Sequence, residues 1–85
     1  MYQLQMADGS TVSVSMVGAS QQGTLWIHAQ GLSLVECVNI FSNPQKTSHM
    51  HIQYDPTIYD DFYGYTELIS VAVCDDYVKI GMVKP

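Results

Sequence analysis

The chain has no arginine, and Lys46, Lys79 and Lys84 face eight acidic residues, for a formal net charge of −5. Nucleic-acid binding takes most of its affinity from Lys and Arg neutralising phosphates, and arginine is the usual fork for phosphate and carboxylate. Nucleic acid, anionic membrane and phosphorylated ligands are therefore not expected partners. Charge of either sign is scarce. Only 13% of residues are charged, about half the ~25% of an ordinary soluble domain. Ser, Thr, Gln and Asn cover the surface instead, and such a surface resists self-association weakly because its copies do not repel one another.

Long apolar runs are missing as well. No stretch approaches the ~20 residues that span a bilayer, and the opening MYQLQMADGS lacks a basic region followed by an apolar run. No membrane span or secretory signal is expected, which points to a soluble, cytoplasmic product. Cysteine is limited to Cys37 and Cys74. Cys37 belongs to a helix's apolar face and Cys74 to the outer row of a strand, so two free thiols are expected, Cys37 as a small core residue. Motifs of catalysis are lacking too: there is no His-Glu-x-x-His, Cys-x-x-Cys, Gly-x-Ser-x-Gly, phosphate loop or dinucleotide fingerprint. No catalytic residue, cofactor or enzymatic activity is expected.

What is present is a series of short alternating segments. Residues 2–6 put Tyr2, Leu4 and Met6 on one face, and Ala7-Asp8-Gly9-Ser10 makes a hairpin turn. Residues 11–17 place Val12, Val14 and Met16 inward, and 24–29 place Leu25 and Ile27 inward with Trp26 and His28 opposite. Further strands are expected over 47–54 (Met50, Ile52 and Tyr54 inward), 65–74 (Ile69, Val71 and Val73 as the apolar row) and 77–83 (Val78, Ile80 and Met82 inward). One segment differs. Between Gly31 and Pro44, Ser33 and Glu36 form a capping box, and Leu34, Cys37, Val38 and Phe41 recur at helical spacing. Asn43-Pro44 ends that helix. Leu34→Asp or Phe41→Asp is expected to unfold the chain by burying an unpaired charge.

The expected architecture is a single α+β domain over residues 1–85, β-β-β-α-β-β-β. Its antiparallel sheet either curves strongly around the one short helix or closes into a barrel-like form.

Three surfaces invite a functional reading. The acidic, tyrosine-rich loop 54–65 carries Tyr59, Asp60, Asp61, Phe62 and Tyr63. Tyrosines give large contact area with few rotors, so the loop would suit a protein or ligand partner; alternatively its aromatics cover one end of the core. Trp26 and His28 stand on an otherwise small, uncharged strand face, which suggests contact with another copy of the chain, or a second small core beneath the 18–23 loop. His49 and His51, at i and i+2 on a strand, are weak metal candidates needing a third ligand from His28 or an aspartate of 55–61; two polar residues on a solvated face explain them as well.

Three pieces together resemble small phage and prophage proteins of Gram-positive bacteria: MYQLQMADGS, GLSLVECVNIFSNPQKT and GYTEL. In those proteins a start of this kind opens a first hairpin, and a helix ending in Phe-x-Asn-Pro-x-x-Thr, here Phe41 to Thr47, precedes a strand. The resemblance implies a tail or head–tail accessory role and location on the virion. It supplies no catalytic residues, and the acidic tyrosine loop departs from its pattern. The expectation is thus a non-enzymatic structural or assembly protein that self-associates, with a protein- or ligand-binding module using 54–65 as the alternative.

Overall fold

The Asp8-Gly9 pair reverses the chain as expected. Gly9 takes φ +87°, and Met6 and Ser10 close the hairpin with a 2.7 Å backbone hydrogen bond. Around this turn the computed structural model, which describes residues 1–85, arranges seven strands and two helices. In chain order they are β1 (Tyr2–Gln5), β2 (Thr11–Ala19), β3 (Leu25–Ala29), α1 (Leu34–Phe41), α2 (Pro44–Thr47), β4 (His49–Asp55), β5 (Ile58–Tyr63), β6 (Glu67–Val73) and β7 (Val78–Val83). The strands form one sheet in the order β5-β4-β1-β2-β3-β7-β6, and every neighbouring pair is antiparallel. The fold is a small α+β domain.

The sheet is open, with β5 and β6 as its two edges. Only Gly64, Tyr65 and Thr66 separate those edges in the chain. Four Cα steps from Tyr63 to Glu67 hold the strand ends within about 14 Å of one another, so the sheet curls at that end without joining its edges. Gly64 makes the crossing with φ +78° and donates its N–H to the Ser48 carbonyl at 3.0 Å.

Both helices cover the inner face, α1 against β6 and β7 and α2 against β4. The core is one cluster in which Leu4, Val14, Leu25, Ile27, Met50, Ile52, Ile80 and Met82 meet Cys37 and Phe41. Cys37 is the small core residue expected of it, and burial pushes its thiol pKa up. The capping box forms in both directions: Glu36 N–H donates to Ser33 Oγ at 3.1 Å, and Ser33 N–H to Glu36 Oε1 at 3.0 Å.

Several expectations need correction. The helix turns a different side to the core: Cys37 and Phe41 are buried with Ile40 partly so, while Leu34 and Val38 are exposed. With apolar residues at 34, 35, 37, 38, 40 and 41, two overlapping apolar sectors existed, and packing chose the one holding the aromatic ring. Met16 faces outward, because a bulge between Val14 and Met16 shifts the parity of β2 and turns Val17 inward beside Ile27. A second bulge, at Ile69, gives β6 an inner row of Leu68 and Val71 in place of the expected Ile69, Val71 and Val73, the last of which is exposed. Finally, the 54–65 stretch is mostly strand. Asp55 accepts hydrogen bonds from the Thr57 and Ile58 N–H groups at 2.7 and 2.9 Å, and this tight Asx turn sends the chain back along β4 as β5. Asn43-Pro44 does end α1, but Pro44 then starts the short α2 from its first position, so the expected one helix is two and Thr47 closes α2 instead of opening the next strand.

Candidate functional site

Strand pairing sets opposite one another the residues that the sequence marked separately. In the β4–β5 register His49 faces Tyr63, His51 faces Asp61 and Gln53 faces Tyr59. Alternation then puts all six on the outer face. The Asp61 carboxylate sits between the two imidazoles, with its Oδ1 2.8 Å from His49 Nε2 and 2.8 Å from His51 Nδ1. Those hydrogen bonds lower the Asp61 pKa below the ordinary carboxylate value. Tyr63 stacks flat on His49, with centroids 4.4 Å apart and planes 6° from parallel, and Tyr59 lies 5.6 Å from His51. The result is a ladder of Tyr, His, Asp, His and Tyr groups on one surface. Shallow depressions flank it, one lined by Tyr2, Gln3, Gln5, His51 and Tyr54 and the other by Gln5, Met6, Gly9 and His49.

The expected partner-binding set divides along the strand. Tyr59, Asp61 and Tyr63 share the outer face, with both tyrosines exposed. Asp60 and Phe62 point to the other side, where Phe62 packs against the core and meets Tyr65 edge-on at 6.4 Å. Asp60 there accepts a 3.0 Å hydrogen bond from the Tyr54 hydroxyl. As third metal ligand, His28 is too distant: β1 and β2 lie between β4 and β3, which at about 4.8 Å per strand puts it some 14 Å away. Asp61 is the acidic residue that meets both histidines, and no group of three or more His, Cys, Asp or Glu side chains has the placement to hold a metal ion.

Trp26 and His28, the expected self-association pair, already have partners within the chain. Trp26 opposes Gly18 on one side and Gly81 on the other. Its ring lies over Gly81, and Lys79 Nζ stands 4.6 Å from the ring centroid, a cation–π contact. His28 stacks on Tyr77 at 4.2 Å, and burial together with the nearby Lys79 lowers its pKa.

Reading the sequence in rows missed the two sheet edges, which differ in character. β5 carries Asp60 and Asp61. β6 reads ELISVAV, with a single charge at its first residue and no proline. Strand order has to be known before either can be recognised as an edge. No family model matches the chain, and neither a curated protein nor a solved structure is significantly similar to it. None of the helices is long and apolar enough to cross a membrane.

Proposed function

We propose that the chain is a non-enzymatic structural module that self-associates, an accessory protein of the phage or prophage kind, cytoplasmic until it joins a virion. The carrying observation is the apolar surface around α1 and β6. Val35 and Val73 are each 67% exposed, Ile69 50% and Leu34 43%, with Val38 beside them. α1 packs on β6, so the two elements that carry these exposed residues are neighbours in the fold. Few charges elsewhere oppose contact between copies. Light scattering from low to high micromolar concentration tests the reading: the mean mass should rise above 9.5 kDa, and a constant monomer mass contradicts it.

The Tyr59–His51–Asp61–His49–Tyr63 ladder supports a second reading as a binding module. Its two exposed tyrosines flank hydrogen-bonding groups already fixed in place, the make-up of a recognition surface. Replacing Tyr59 and Tyr63 with Ala should preserve the fold and abolish capture of a partner, whereas unchanged capture would count against it.

A further inference from the structure

We infer that the Tyr59–His51–Asp61–His49–Tyr63 ladder binds arginine side chains of an extended basic peptide, two guanidinium groups seating on the two tyrosines and sharing the acceptors between them. This rests on the binding-module reading and names the chemistry of its partner.

The hydrogen-bonding capacity of the ladder is one-sided. An ionised carboxylate only accepts, so the nitrogens facing Asp61, His49 Nε2 and His51 Nδ1, both carry hydrogen. In the neutral imidazoles this leaves His49 Nδ1 and His51 Nε2 as acceptors. Both contacts fall on Asp61 Oδ1, so its Oδ2 stays open as well. The neighbouring amides already use their nitrogens: Gln53 Nε2 donates to the Asp55 carbonyl at 3.0 Å and Gln3 Nε2 to Ser13 Oγ at 2.9 Å. What remains is weighted to acceptors around one negative charge. None of the chain's own cations answers it. Lys46 Nζ is 2.7 Å from Asp8, Lys79 stands over Trp26 and Lys84 over Tyr65.

A guanidinium is the complement: five N–H donors, one positive charge and no acceptor, on a plane that stacks against aromatic faces. Tyr59 is 57% exposed and Tyr63 60%. One face of Tyr63 lies on His49, and the other is turned away from it. Asp61 is two residues from each tyrosine, about 7 Å along the strand. An extended peptide with arginine at i and i+4 spaces two side chains on one face by about 14 Å, the separation of Tyr59 and Tyr63 along β5. A neutral sugar matches less well, because each hydroxyl brings acceptors with its donor. An anionic ligand would meet Asp61 with no cation to receive it.

Amide NMR titration of the full chain tests this, at mildly alkaline pH where imidazoles are neutral, with the end-capped peptide Gly-Arg-Ser-Ser-Ser-Arg-Gly. Saturable shifts should gather in His49–Asp55 and Ile58–Tyr63. Citrulline in place of both arginines keeps the shape without the charge and should abolish them. Lysine in both places should bind at least about threefold more weakly, because it lacks the planar stack. On the protein, Tyr59→Ala with Tyr63→Ala should weaken binding at least about fivefold through two lost cation–π contacts, and Asp61→Asn at least about threefold. Asp75→Asn with Asp76→Asn, in the β6–β7 turn, should leave it unchanged. Equal binding of the lysine peptide, or dependence on Asp75 and Asp76, would reduce the effect to attraction by the net charge and overturn the assignment. Maltohexaose saturating the same amides where the arginine peptide does not would also overturn it, and would leave the binding-module reading standing. Absence of any shift with the arginine peptide overturns it too; the module reading falls as well only if the paired tyrosine substitutions leave partner capture unchanged.

Discussion

The indole of Trp26 lies so close across Gly81 that a Cβ atom at position 81 would stand 2.8 Å from Cζ3 and 3.2 Å from Cη2, with Ser70 Cβ 3.3 Å away on the far side. The ring therefore occupies the space that a side chain on β7 would fill, and Lys79 holds it there from above. Gly81 is also buried, which gives an added methyl group little room. Gly81→Ala should lower stability by about 1–3 kcal/mol, the usual range for overpacking, and shift the tryptophan emission as the ring lifts into water. Unchanged emission and melting temperature would show that the ring moves aside freely.

Helix α1 gives a contrast between two substitutions of similar residues. Phe41 is fully buried and Leu34 is 43% exposed. Phe41→Ala should cost about 3–5 kcal/mol. Leu34→Asp should stay within about 0.5 kcal/mol in dilute protein, as surface changes do. Urea denaturation of both variants checks the ranking, and a large loss from Leu34→Asp would place that residue back in the core.

The capping box makes a third case. Ser33 Oγ accepts from Glu36 N–H, so Ser33→Ala should cost about 1 kcal/mol. Ser33→Asp, which retains an acceptor, should recover most of that. Equal losses for the two variants would mean that the box contributes nothing beyond its geometry.

Stability should fall in mild acid because of His28. Burial and Lys79 lower its folded pKa below 6.5, so over that interval the unfolded chain binds more protons than the folded one. The sign follows from linkage: this contribution is complete above about pH 6.5 and disappears as pH drops through the lowered folded value. His28→Gln should flatten the stability profile between pH 7 and 5 relative to wild type. Parallel profiles would assign the acid sensitivity elsewhere.

Asp61 acts in a lower range. Hydrogen bonds from His49 and His51 depress its pKa, so its contribution is complete above the ordinary carboxylate value near 3.8 and is lost as pH falls towards the lower folded one. Asp61→Asn should remove that part of the acid unfolding curve and loosen the two imidazoles, which proton NMR of their ring signals would report. Ring signals unchanged by the substitution would show that the carboxylate does not fix them.

Much of this molecule was legible in alternation alone. Leu4, Val12, Leu25, Ile27, Met50, Ile52, Val78, Ile80 and Met82 all face the core as their two-residue period requires, and the Asp8-Gly9 turn and Ser33–Glu36 box mark their own positions. Bulges hid the rest. An extra residue in β2 and another in β6 reverse parity within a strand, and no local pattern announces either. β5 was concealed by its aspartates: neither Ile58-Asp60-Phe62 nor Tyr59-Asp61-Tyr63 is a wholly apolar row. Its β-branched and aromatic residues after an Asx turn were the available signal. The candidate site was half visible, since His49 and His51 share a face by period. Their meeting with Asp61 depended on a register that only the β4–β5 pairing fixes. The difference between the edges required strand order, which joins residues far apart in the chain.

Amide hydrogen exchange, followed residue by residue from dilute to concentrated protein, tests the central claim most directly. Self-association through the exposed apolar residues of α1 and β6 predicts that amides within Leu34–Phe41 and Leu68–Val73 slow as concentration rises, while those of Ile58–Tyr63 on the opposite edge keep their rates. Concentration-independent exchange along β6, or slowing confined to β5, would contradict it.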